Sequence, residues 1–187
     1  HMKNLINSGV SGLMLGWTLG GYPSLTLKLA SHYYWEQEGH TPADTDELLR
    51  QAFGEKNGTI IANACDCFNR AFKEFPFNIS VLYNAPQNYG PMNLLYEMPT
   101  GFKASMLGYP YDDIESWRGI YPEDIFENQF KKLSDEWKKG IVILKDVENY
   151  VDTTGRDTLA ELVDVASSAY YHFRSTYLQI VFIRLRK

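Results

Sequence analysis

Residues 122–151, PEDIFENQFKKLSDEWKKGIVILKDVENYV, decide the fold class of this chain. Phe126, Phe130, Leu133, Trp137, Ile141, Leu144, Val147 and Val151 recur at three and four residues, the near-heptad spacing of one apolar helix face. Pro122 precedes the run, and Glu123 and Asp124 suit the positive end of a helix. Thr153-Thr154-Gly155 reads as a break. After it, Leu159, Leu162, Val163, Ala166, Ala169, Tyr170, Phe173, Tyr177, Ile180 and Val181 predict a second long helix, antiparallel to the first. Its end, through Leu178, Phe182, Ile183 and Leu185, is apolar around most of the circumference, which predicts burial on several sides.

Working towards the N-terminus, Ile61, Ala64, Phe68, Ala71, Phe72 and Phe75 predict another amphipathic helix, stopped by Pro76. Before it, Leu48, Leu49, Ala52 and Phe53 give one apolar face to a helix opened by Thr41-Pro42-Ala43-Asp44, with Gly54 and Asn57-Gly58 as its expected end. Leu25, Leu29 and Tyr33 predict a helix over residues 24–38. Val81 and Leu82 suggest one short helical turn over residues 78–84. Val10 to Trp17 is short, apolar and punctuated by glycine, as a buried strand is. The expected fold is therefore mainly α. It is a bundle of about five helices over residues 23–187, preceded by a strand-like segment and glycine loop within residues 1–22. His1 and Met2 read as the scar of a cloning tag.

Residues 83–121 break every period. Pro86, Gly90, Pro91, Pro99, Gly101, Gly108, Pro110 and Gly119 interrupt them, yet Tyr83, Tyr89, Tyr96, Phe102, Tyr109, Tyr111 and Trp117 are too apolar to leave in water. An ordered, aromatic-rich loop follows, and connections this long in compact domains are commonly functional.

Composition removes several classes of function. The chain has 187 residues, 44% hydrophobic and 22% charged, values of an ordinary globular domain. A formal charge of −5 with no large basic cluster argues against a nucleic-acid partner. No apolar run reaches the roughly 18 residues of a membrane span. Cys65 and Cys67, two apart on a helical pattern, cannot form an unstrained disulfide, and no further Cys or His stands at ligand spacing. His32 and His40 match no zinc pattern, and there is no phosphate loop, dinucleotide fingerprint or nucleophile elbow. No metal and no cofactor are expected. Localisation is left open, with the cytoplasm favoured.

The string Gly12-Leu13-Met14-Leu15-Gly16-Trp17-Thr18-Leu19-Gly20-Gly21-Tyr22-Pro23 resembles the last barrel strand and loop of β/α-barrel glycoside hydrolases. The strings Tyr83-Asn84-Ala85-Pro86-Gln87-Asn88-Tyr89-Gly90-Pro91 and His172-Phe173-Arg174-Ser175-Thr176-Tyr177-Leu178 resemble the helical region that follows the barrel in large, glycosidase-like bacterial proteins. The resemblance implies an accessory C-terminal helical domain that supports a catalytic barrel and contributes aromatic sugar contacts. It puts Trp17 at the active-site face of a barrel strand, with Tyr22 in the adjoining loop. Its partners would be a carbohydrate ligand and the remaining barrel domain of the parent. A homodimer through surface bared by separation from that parent is a further expectation. The catalytic carboxylates would come from earlier strands, so the chain by itself is expected to be inactive and its catalytic residues remain unassigned.

Within the loop, Tyr89, Tyr111 and Trp117 are candidate sugar-stacking residues, with Asn84, Gln87 and Asn88 as polar neighbours. Asp112-Asp113 and Glu115 invite a catalytic role, but adjacent loop acids more commonly cap turns. His172 and Arg174 read as loop-anchoring residues of the last helix. The alternative function is a stand-alone helical module whose aromatic surface meets a protein partner.

Overall fold

The structure, a computed structural model, describes residues 2–13, 24, 27–28, 30–31 and 45–186. In chain order its α-helices are α1 (Met2–Asn7), α2 (Thr45–Phe53), α3 (Glu55–Phe72), α4 (Ile79–Asn84), α5 (Ile114–Arg118), α6 (Glu123–Val147) and α7 (Thr153–Arg186). Two 3₁₀ turns, Pro86–Asn88 and Gly90–Met92, follow α4. The fold is mainly α, as the periodicity requires, and the described residues contain no strand. Two compact units divide the chain, residues 1–62 and 63–187, with the boundary inside α3.

In the first unit, Val10 to Leu13 have no regular structure. The rest of the expected strand, with Trp17 and Tyr22, lies outside the described residues, as do His32, His40 and the Thr41–Asp44 cap. Leu27, Lys28, Ala30 and Ser31 are helical; the remainder of the expected 24–38 helix is also outside. Helix α2 buries Leu48, Leu49 and Phe53 and ends at Gly54, whose φ of 81° is natural only for glycine.

Asn57-Gly58 does not end a helix, contrary to the expectation. Helix α3 begins at Glu55 and runs through both. The reason is steric: a Cβ on Gly58 would lie 2.6 Å from the Arg50 backbone N and Cα, so glycine is what lets the end of α2 press on the start of α3. Here glycine serves close approach between helices.

The second unit is built on the α6–α7 hairpin. Phe126, Phe130 and Leu133 are fully buried with Ile180 and Ile183, and α4 and α5 add Val81, Ile114 and Trp117 to the same core. Aromatic edges knit it: Phe130 meets Phe126 at 5.2 Å and Phe75 at 5.9 Å, and Trp137 meets Phe173 at 5.2 Å. Trp137 also lies 4.6 Å from Phe68, whose ring occupies the space a side chain at Gly140 would need. Burying such large side chains stabilises by about 1.5–3 kcal/mol each.

The expected break between the two long helices falls at residues 148–152, and Thr153-Thr154-Gly155 is already the first turn of α7, capped by Asp152: the Gly155 N–H donates to Asp152 Oδ1 at 3.0 Å. At the other end, the expected burial on several sides fails. Leu178 is 51% exposed, Phe182 41% and Leu185 82%, while Ile180 and Ile183 are buried. These three lie on the outward face of α7, with nothing from the hairpin to cover them.

Gly58→Ala sets two effects against each other. Alanine favours a helix interior by about 1 kcal/mol, whereas overpacking against backbone costs about 1–3 kcal/mol. Net destabilisation is expected, read as a lower thermal midpoint by far-UV circular dichroism. An unchanged or higher midpoint would show that the α2–α3 approach is not tight.

Candidate ligand-binding surface

The long loop between α4 and α6 carries the exposed aromatic residues, and its anchoring comes first. Asn78 caps α4, its Oδ1 accepting from the Ser80 N–H at 2.9 Å. Asn78 also faces Gly119, at φ 56°, where any Cβ would stand 2.5 Å from that Oδ1. The two 3₁₀ turns then lie along α7. His172 Nδ1 meets the Gln87 carbonyl, Gln179 Nε2 donates to the Gly90 carbonyl at 2.9 Å, and Asn93 Nδ2 donates to Gln179 Oε1 and to the Tyr111 carbonyl, each at 2.7 Å. A Cβ at Gly90 would stand 3.1 Å from the His172 ring, so glycine allows that approach. Polar groups this deep must be paired, and here the pairing fixes where the loop runs.

The two neighbouring acids hold its outer half. Asp112 accepts from the Thr100 N–H at 3.0 Å, from the Thr100 hydroxyl, and from Arg186 Nη2 at 2.6 Å. This ion pair is buried, with side-chain exposures of 5% and 10%. Asp113 accepts from the Ala104 N–H at 3.0 Å, from the Ser116 hydroxyl at 2.5 Å and from Lys103 at 3.2 Å. Burial pushes both carboxyls up, but these hydrogen bonds together with the Arg186 and Lys103 charges outweigh it, so both sit below the ordinary aspartate value. Glu115 is likewise held below the usual carboxylate range by its hydrogen bond with Arg118. All three acids are therefore committed as ionised structural acceptors, and none is set up as a proton donor.

What this anchoring presents is a row of rings. Tyr89 and Tyr109 have centroids 5.5 Å apart, Tyr109 and Tyr111 6.2 Å, and Tyr111 and Phe102 5.2 Å. Tyr109 and Phe102 are 60% and 61% exposed; Tyr111, between them, and Tyr89, at the end of the row, are half-buried. The Tyr89 hydroxyl donates to the Gly108 carbonyl at 2.8 Å, closing the loop under the row. Tyr111 has a φ of 52°, the only positive value at a non-glycine among the described residues, a strain that the Asn93 and Asp112 bonds on either side of it hold in place.

The sequence-level candidates thus divide. Tyr89 and Tyr111 belong to the row. Trp117 does not: its side chain is fully buried in the core and its Nε1–H donates to the Pro110 carbonyl at 2.7 Å, which leaves no ring face for a ligand. Asn88 and Gln87 donate to the Leu82 and Val81 carbonyls, and so serve the loop itself. Arg174 pairs with Asp135 at 3.1 Å and lies over Tyr177, away from any reactive group. The exposed members Tyr109 and Phe102 look in the sequence like any other loop apolar; no periodic signal separates an outward ring from a buried one in an irregular segment. No group of three potential metal ligands occurs among the described residues.

No family model, curated protein or solved structure matches this chain.

Stability should depend on acid through Asp112 and Asp113. Their folded-state affinities for protons are below those of the unfolded chain, so the contribution is complete above pH 3.8 and is lost as pH falls further through the folded values. Asp112→Asn would leave Arg186 buried without its charge partner, at a cost of about 3–5 kcal/mol. It should also flatten the acid limb of a urea-midpoint-versus-pH plot. An unaltered limb would show that Asp112 does not carry this dependence.

Proposed function

We propose that this chain is an accessory helical domain of a carbohydrate-active enzyme, non-catalytic in itself, which supports a catalytic barrel and offers an aromatic edge to a glycan. The observation that carries the reading is the row Tyr89, Tyr109, Tyr111 and Phe102, held by a hydrogen-bonded polar base. Flat apolar rings with polar rims suit sugars, whose C–H faces stack while their hydroxyls hydrogen-bond. A pre-organised row also lowers the ordering cost of binding. The commitment of Asp112, Asp113 and Glu115 to structural bonds supports the non-catalytic part of the proposal. In this reading Trp17 and Tyr22 remain candidates on the barrel side, and the described loop supplies the second set of contacts.

One observation favours a protein-interaction module as the second reading. Met92, Leu94, Met98 and Leu107 are 71%, 68%, 73% and 93% exposed, and such flexible aliphatic side chains are common on protein-binding surfaces.

Calorimetric titration with a panel of mono- and oligosaccharides tests the leading reading. Saturable binding is expected, weakened at least about tenfold, or about 1.4 kcal/mol, by Tyr109→Ala or Phe102→Ala, whose exposed rings can be removed without opening the core. Binding that both variants retain, or no binding to any saccharide, would count against a glycan site on this row.

A further inference from the structure

The outward face of α7 carries an apolar seam where a solvent-facing helix would carry charge. Tyr171, Leu178, Phe182 and Leu185 stand at intervals of seven, four and three residues, the d and a positions of a heptad, and are 61%, 51%, 41% and 82% exposed. At its C-terminal end the seam opens into a groove of about 550 Å³ lined by Phe182, Leu185, Glu97 and Arg186. Arg186 ties this end to the loop through the Tyr96 carbonyl and Asp112, so the groove wall is fixed before anything docks.

We propose that this seam is a homodimer surface, on which α7 packs antiparallel against α7 of a second copy. Two features favour a second copy as the occupant. First, a heptad seam is filled by a helix of the same spacing, and α7 itself has that spacing, so a two-fold axis makes the surface self-complementary. Antiparallel pairing also opposes the two helix dipoles. Second, the four seam residues with the half-exposed Tyr96 offer on the order of 500 Å² of apolar surface. This is the apolar share of a standard interface, which takes roughly 800 Å² from each partner, about 65% of it non-polar in homodimers.

The test is sedimentation of the full chain over two decades of concentration. The mass should move from 21.5 kDa towards twice that value as concentration rises. Leu185→Glu alone, and Leu178→Glu with Leu185→Glu, should hold the chain at the monomer mass with an unchanged circular dichroism spectrum. Leu185 is in solvent at the helix end, so that variant should fold. Val142→Glu, at an exposed apolar position of α6, should dimerise like the parent. A monomer at every concentration would overturn the proposal, and so would a dimer that survives Leu185→Glu and the double variant, or one lost equally in Val142→Glu. No saccharide enters this assay, so its outcome is separable from that of the glycan reading.

Discussion

Buried backbone groups need partners, and that constraint organises the second unit of this protein. Of the 38 residues between α4 and α6, only the five of α5 are α-helical and none is in a sheet, so side chains must pair many of the segment's carbonyls. Helix α7 supplies them along one flank, with His172 at the Gln87 carbonyl, Gln179 at Gly90 and Arg186 at Tyr96. A buried carbonyl such as that of Gly90, left unpaired, would cost about 1–3 kcal/mol, a large part of a domain's net stability. The last helix is therefore both half of the hairpin core and the support of the loop.

This double use explains the distribution of charge and rings. The acids that look most chemical in the sequence, Asp112 and Asp113, are acceptors for loop N–H and hydroxyl groups and for cations at the loop's margins. With the backbone held in this way, Tyr109 and Phe102 can stand in solvent without the loop collapsing over them, and Tyr111 can keep a left-handed backbone. An interaction surface made of loop residues on a paired polar base combines variable chemistry with a fixed shape.

Much of the scaffold was legible. The α6 and α7 periods, the helix at Ile61 to Phe75 and the short α4 follow from three- and four-residue spacing, because a helix face must be apolar wherever it meets a core. Boundaries were less legible. Gly58 reads as punctuation but is a contact point, and Thr153-Thr154-Gly155 reads as a break but is a capped start; in both cases the deciding partner, Arg50 or Asp152, is what distinguishes the two meanings. Leu178, Phe182 and Leu185 suggest burial by their chemistry, yet hydrophobicity does not say whether a covering element exists on that side.

By itself the sequence determined the mainly helical class, the hairpin and the presence of an ordered aromatic loop, since these depend on local periodicity and on the cost of leaving aromatic side chains in water. Only the tertiary structure decided which of the loop's rings face outward, that Trp117 is core, that the paired acids are staples, and that one face of α7 is bare. Those properties depend on contacts between residues as much as ninety positions apart, such as Arg186 with Tyr96. No local pattern records them, because exposure and pairing belong to the neighbours a residue acquires on folding.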